Sequence, residues 1–295
     1  MNKLSICIIL VLIILVLFLL GIIIYKCVNS NNFNNKNKKL YEHLSNTVVV
    51  LFKTHTWNDN IEYFVKKIKN ETVPNRIDFY ILMHSDDQKL INQIKDQNIK
   101  KYVLVFSETD IKKTYRKGFY SMWLSNHWIL MWFFKQFKNK YQYYWSVEYD
   151  VRISGNGYKI WNYLGTEDFI YPVDTFKNPQ WTWKNYYVGG KLDDTTKWYG
   201  YLQLARYSKK FLDYLDKHYE QGENGQDELI TFSLFNRGKS EIGLTGTSKL
   251  LGDLIKNSWS VDNSDSDKHK QLLEESESKY KINHDHLLIF HPVKY

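Results

Sequence analysis

The chain has 295 residues, 24% of them charged and 43% apolar, which excludes a disordered chain and leaves room for one large domain or two small ones. Its formal charge of +8 comes from lysines spread along the whole length, so the basicity favours anionic small molecules or an anionic surface and argues against nucleic acid. The two cysteines, Cys7 and Cys27, both stand near the start, so the body beyond them has neither a disulfide nor a thiol nucleophile.

Leu4 to Tyr25 is an apolar run about as long as a bilayer-spanning helix needs. It is too long for a signal-peptide core and has no small-residue cleavage site, which predicts an uncleaved single-pass anchor behind a tail of residues 1–3. Lys3 ahead of it suits a type II protein with a lumenal body, as does the sequon Asn70-Glu71-Thr72; Lys26, Lys36, Lys38 and Lys39 behind it lean the other way. Residues 29–39 hold six Asn and three Lys, so 26–45 reads as a flexible stalk.

Alternation then begins. Thr47 to Phe52 reads as a strand and Trp57 to Lys69 as a helix, with Ile61, Phe64, Val65 and Ile68 on one side. Asp78 to Met83 is the second strand, Gln88 to Gln97 a helix, Lys101 to Phe106 the third strand, and Ser121 to Phe137 a long helix. The run Tyr143 to Val147 is a buried strand, and Asp168 to Val173 another. Strands alternating with helices predict an α/β fold with a mostly parallel sheet flanked by helices. Beyond Val173, Phe176 to Asp194 reads as a Trp-rich loop, Trp198 to Tyr207 as a strand, and Ser208 as the N-cap of a helix that runs to Tyr219. A helix over Gln226 to Phe235, an exposed polar excursion over Ser258 to Ser278, and a final strand over Asp285 to Phe290 complete the reading, with 46–174 and 175–295 as two halves of one domain.

The chemistry concentrates at Trp145-Ser146-Val147-Glu148-Tyr149-Asp150. On a strand, residues i and i+2 share a face. Glu148 and Asp150 therefore leave one strand end side by side, and two such anions repel unless a cation or proton lies between them. The carboxyl end of a strand in an open α/β sheet is also where ligands bind. These points predict a divalent-metal site, with His291 after the last strand as a third ligand. Two carboxylates and one imidazole suit Mn²⁺ or Mg²⁺, and such an ion neutralises a diphosphate leaving group. The close trio His284, His286 and His291 lacks the cysteines or helical His-Glu pair of a zinc site. Trp181 and Trp183, two apart in a loop, form an acceptor-sugar platform if that loop is extended. No Gly-any-Ser-any-Gly elbow and no Walker sequence occurs.

The Glu148-Tyr149-Asp150 triplet after three strand-helix units, with the late His291-Pro292-Val293-Lys294, resembles the GT-A fold nucleotide-sugar glycosyltransferases. The resemblance covers roughly Thr47 to Asp174 plus the last residues, and it departs from the family's usual Asp-any-Asp at Glu148. It implies a GT-A-like, Rossmann-like fold whose first half binds a nucleotide-diphospho-sugar and whose second half binds the acceptor. By the same resemblance Asp150 binds the metal on the donor diphosphate, Glu148 reaches it through water or meets the ribose, His291 completes the shell and Lys294 meets a phosphate. Thr54, Thr56 and Asp86 stand on the loops that contact the nucleoside. Asp227, then Glu228, at the start of a helix behind Gly222-Glu223-Asn224-Gly225-Gln226, is the general base if the transfer inverts. The implied activity is sugar transfer to a glycan, glycoprotein or glycolipid. The rival of another class is a membrane-tethered, non-catalytic carbohydrate-binding or scaffold protein that keeps the fold. A metal-dependent phosphodiester hydrolase needs a second metal and more acids than Glu148 and Asp150 supply.

Overall fold

The structure, a computed structural model, describes residues 47–85, 89–178, 180–190, 192–282, 284 and 286–294. The expected anchor over Leu4 to Tyr25, the stalk over 26–45 and Asp86 lie outside the described residues. Among the described residues no helix is long and apolar enough to cross a membrane.

Strand β1 (Val48–Thr54) is buried along its whole length, which is why it reads as an unbroken apolar run. Its alternate side chains feed two cores: Val49 and Leu51 face one, and Val48, Val50 and Phe52 the other. Helix α1 (Asp59–Thr72) starts where the Asn58 side chain accepts a hydrogen bond from Ile61 N–H, and it buries Ile61, Phe64, Val65 and Ile68 in the second core. The sequon lies on this helix, with Asn70 exposed but Thr72 fully buried and its hydroxyl donating to Ile68 O at 2.8 Å.

Strand β2 (Asp78–His84) follows, then two short helices, α2 (Lys89–Gln93) and α3 (Gln97–Lys100), where the sequence predicts one. The break has two causes: Lys95 N–H donates instead to the Glu62 carboxylate at 3.0 Å, and Asp96 caps a fresh helix through Asn98 N–H. Strand β3 (Val103–Phe106) and helix α4 (Glu108–Lys112) come next. Helix α5 begins at His127, not Ser121, and runs His127–Phe137. The Ser121 and Ser125 hydroxyls accept hydrogen bonds from Leu124 N–H and Tyr120 N–H and fold residues 120–126 into turns.

Strand β4 (Tyr143–Glu148) continues into β5 (Arg152–Ile153), helix α6 (Tyr158–Trp161) and β6 (Phe169–Ile170). The Trp-rich stretch carries only the two-residue β7 (Tyr187–Val188). Strand β8 is shorter than expected, Leu204–Ser208, and Ser208 caps helix α7 (Lys209–Glu220) through Phe211 N–H as its sequence predicts. Then come β9 (Asn224–Gly225), helix α8 (Asp227–Glu241), β10 (Gly246–Thr247) and helix α9 (Lys249–Ile255).

The expected polar excursion is in large part a helix, α10 (Ser266–Ile282). It reads as polar because it buries only a narrow stripe: Leu273 packs on Phe290 and Val293, and Ser276 donates to the Ser154 hydroxyl at 2.7 Å. The final strand shrinks to β11 (Ile289–Phe290), which pairs antiparallel with β5 and not with the main sheet.

The main sheet has the order β10-β6-β8-β4-β1-β2-β3. It is mostly parallel, with β8 antiparallel to both its neighbours. Helices α5, α7 and α8 cover one face, and α1, α6 and α9 the other. The two halves expected on either side of residue 174 share this one sheet, because β8 and β10 belong to it.

Candidate active site

The site is set by strand register. Strands β1 and β4 are parallel neighbours that place Lys53 opposite Glu148. Both side chains leave the sheet at its carboxyl edge, the expected ligand-binding end. The buried Lys53 ammonium lies 3.5 Å from the Glu148 carboxylate, and Asn126 Nδ2 donates to the same oxygen at 2.5 Å.

Asp150 is not on the strand. Glu148 ends β4, and Tyr149-Asp150 forms a turn closed by Val151 N–H donating to Glu148 O at 3.1 Å. The strand-parity reading of the two acids is therefore corrected, because β4 stops at Glu148. The turn and the C-terminal segment bring Asp150 to the same place by another route: Val293 N–H donates to Asp150 O at 2.8 Å.

His291 arrives on that segment. Its main-chain N–H donates to Ser258 O at 2.9 Å, its ring packs on Trp259 at 4.9 Å, and its Nδ1 is 2.7 Å from Ser260 O. A carbonyl only accepts, so Nδ1 carries the proton and a neutral ring turns the lone pair of Nε2 outward. That lone pair faces Asp150 Oδ1 at 3.6 Å, an oxygen with no hydrogen-bond partner among the described residues. Two buried acceptors face each other, which calls for a cation or a proton between them. One donor atom each from Glu148, Asp150 and His291 lies within 4.8 Å of the others, close to the roughly 3–4 Å expected between ligands of one octahedral ion. The residues thus fit a hard divalent cation. Lys294 Nζ, 3.8 Å from Asp150 Oδ2, adds a positive charge beside it.

His291→Ala is expected to weaken Mn²⁺ binding by about 10- to 100-fold in a calorimetric titration. Unchanged affinity would reduce His291 to a packing residue.

The same cleft, about 770 Å³ in volume, is also lined by the start of α8. Gln226 caps this helix through Leu229 N–H, and its amide donates to Asp227 Oδ1 at 2.7 Å. Asp227 Oδ1 also accepts from Glu228 N–H at 2.7 Å, and Gln203 Nε2 donates to Glu228 at 3.2 Å. Burial and then the nearby charge of Glu148 push Asp227 up to about 7, against an opposing pull from Lys53. Burial and then the charge of Asp227 push Glu228 well above the usual carboxylate range. The pair therefore holds a proton near neutrality. Glu223 behaves oppositely: burial pushes it up, but His218 and a two-pronged Arg237 contact at 2.7 and 2.8 Å outweigh this and hold it at about 2. It clamps the loop in place.

Of the other predicted residues, Thr54 lines the cleft and Thr56 does not. The Thr54 hydroxyl is spent on its own loop, accepting from Thr56 N–H at 3.2 Å and lying 2.5 Å from Thr56 O. Trp181 and Trp183 both line the cleft but not as parallel neighbours. Asn178 folds this stretch into turns through Gln180 N–H and Trp181 N–H, so the condition of an extended loop, on which the shared face of the two rings depends, is not met. Trp181 packs among Phe176, Tyr199 and Tyr201, whereas Trp183 meets Trp123 and Tyr186.

Sequence reasoning overlooks Lys53, Asn126, Gln203 and Gln226. Lys53 had a signal, as the one charge in the strand Val48–Thr54; the amides are ordinary polar residues until the fold brings them together.

No family model matches the chain, and no curated protein does. Among solved structures, it is similar to a glycosyltransferase involved in the glycosylation of the major capsid of PBCV-1, at 10% identity and a TM-score of 0.28 over 58% of this chain and 63% of that one. The inositol-1-phosphate CTP transferase from T. maritima aligns at 9% identity and a TM-score of 0.37, over 68% of this chain and 84% of that one. The apo form of the glycosyltransferase GlyE from Streptococcus pneumoniae TIGR4 aligns at 10% identity and a TM-score of 0.35, over 84% of this chain and 55% of that one. The chain thus spans less than two thirds of the first of these proteins.

Proposed function

We propose that the chain is a metal-dependent glycosyltransferase of GT-A type that moves a sugar from a nucleotide-diphospho-sugar to a glycan, glycoprotein or glycolipid. The observation that carries this reading is the facing pair of buried acceptors, Asp150 Oδ1 and His291 Nε2, in a cleft that is also lined by a proton-holding acid pair. Asp150, His291 and Glu148 hold Mn²⁺ or Mg²⁺, which when bound offsets the charge of the departing diphosphate. Lys294 meets a phosphate oxygen as a point charge. Asp227, poised near neutrality, takes the proton of the acceptor hydroxyl as that oxygen bonds to the anomeric carbon and the bond from that carbon to the diphosphate breaks. The Gln226 amide and the main-chain N–H of Glu228, both donating to Asp227 Oδ1, keep Asp227 oriented. Leu4 to Tyr25 tethers the body to a membrane as a type II protein.

Calorimetric titration with UDP and GDP, each with and without Mn²⁺, tests this. Binding is expected only with the metal, and the preferred base narrows the donor. A folded protein that binds neither nucleotide is no transferase of this type.

A further inference from the structure

We propose that a chain of aromatic rings, Trp123 and Trp183 lining the cleft and Tyr186 and Tyr120 continuing from them, is the landing site of an oligosaccharide acceptor at least two sugar units long. The proposal rests on the transferase reading above and specifies the acceptor that it leaves open.

Trp123 lines the cleft yet is 68% exposed, so a large apolar surface stands in water that a ligand could cover favourably. It does not stand alone. Its ring meets Trp183 at 5.0 Å, Trp183 meets Tyr186 at 5.5 Å, and Tyr186 meets Tyr120 at 5.3 Å. All three contacts are T-shaped, with interplanar angles of 79°, 77° and 65°. In a T-shaped pair one ring gives only its edge, so its flat face stays open. Tyr120 and Tyr186 are each 37% exposed, and Trp183 between Trp123 and Tyr186 is half-buried.

This chain of rings is held in register with the acid pair. Asp227 N–H donates to Leu124 O at 2.9 Å, and Gln226 N–H donates to Tyr186 O at 2.7 Å. The helix start that carries the acids therefore pins both ring-bearing segments, one on each hydrogen bond. A ligand lying on the rings is led to Asp227.

The surroundings select a sugar. The apolar C–H face of a pyranose covers an aromatic ring, while its hydroxyls need polar partners at the edge. Asn126, Gln203 and Gln226 line the same cleft beside the acids. An alkyl chain would strip water from the carboxylates of Asp227 and Glu228 without replacing it, which is costly. Trp123 and Trp183 line the cleft, while Tyr186 and Tyr120 continue the ring contacts beyond that lining, so a second unit has its own ring to rest on.

The test uses the full chain in a non-glycosidic detergent with Mn²⁺ and UDP or GDP. It is probed against immobilised gluco-, galacto-, manno-, xylo- and N-acetylglucosamine sugars of one to four units. At least one oligomer is expected to bind about tenfold more tightly than its monomer, and Trp123→Ala is expected to lose about tenfold or more of that affinity. Calorimetry on the same variant is expected to show unchanged nucleotide binding. The proposal is overturned if no oligomer binds, if monomer and oligomer bind alike, or if Trp123→Ala retains the affinity. Wild-type protein that binds nucleotide and metal but no glycan sinks only the ring site. Protein that binds glycan but no nucleotide sinks the transferase reading and keeps the rings as a glycan site.

Discussion

Asp150→Ala is expected to abolish metal-dependent binding of UDP or GDP, by about 100-fold or more, the upper end of what even an outer-shell partner contributes. The variant is also expected to stay folded, and the reason is specific. Asp150 is buried with one oxygen unpaired and a histidine nitrogen facing it. An unsatisfied buried acceptor costs roughly 1–3 kcal/mol, so removing it relieves the metal-free protein. The distant Lys294 contact at 3.8 Å offsets little of this. The metal-free variant should melt no lower than the wild type, while Mn²⁺ should raise the melting temperature of the wild type alone. Nucleotide binding that survives the change, at any metal concentration, would show that the ion is not held here.

Asp227→Asn is expected to lower turnover by about 10²- to 10⁴-fold, the usual worth of a general base, with nucleotide and metal affinity unchanged. Asparagine keeps the shape and still accepts from Gln226 and Glu228, but it takes no proton. In the wild type the rate should rise with pH through about 7, where Asp227 ionises. The charge of Glu148 is the second cause of that raised value, so a cation bound at Glu148 should move the midpoint of the rate profile to lower pH. Stability should run the other way. The native protein keeps a proton on Asp227 that the unfolded chain has released, so stability falls as pH rises from the ordinary aspartate value toward about 7. Asp227→Asn should flatten that slope. Rate and stability profiles together separate a base from a merely buried acid; a flat rate profile in the wild type counts against Asp227.

What the sequence discloses follows from where each element is buried. Strand β1 has two cores to serve and is apolar from Val48 to Phe52, so it is legible, as are α1 with its four-residue stripe and β4 with its aromatic run. Helix α5 is legible except at its start, because serine hydroxyls outbid the helix for its first N–H groups. Helix α10 is hidden because its buried stripe is narrow and two of its buried members are serines. At the site, the residue types of Glu148, Asp150 and His291 announce a cation, and they are brought together. The rule used to join the two acids did not apply, since a turn places Asp150. Trp181 and Trp183 are two apart in the chain but belong to different ring clusters, and the better partner of Trp183 is Trp123, far off in sequence. Contacts of that kind are made by the fold and leave no local spacing to read.

The ladder that carries His291 has a thermodynamic consequence. Its strand pairing joins only Ile289–Phe290 to Arg152–Ile153, apart from the main sheet, so opening it breaks that pairing and the bonds of His291 to Ser258 and of Val293 to Asp150 but leaves the main sheet paired. Each opening withdraws one ligand, and the observed metal affinity is the intrinsic affinity scaled by the fraction of time the ladder is closed. The relation is reciprocal: a bound ion must slow amide hydrogen exchange at Ile289, Phe290 and His291, by as much as it favours the closed form. On the proposed reading, metal occupancy is coupled to the local stability of this strand pairing, and a change at Ile289 or Phe290 would tune how much metal the protein retains.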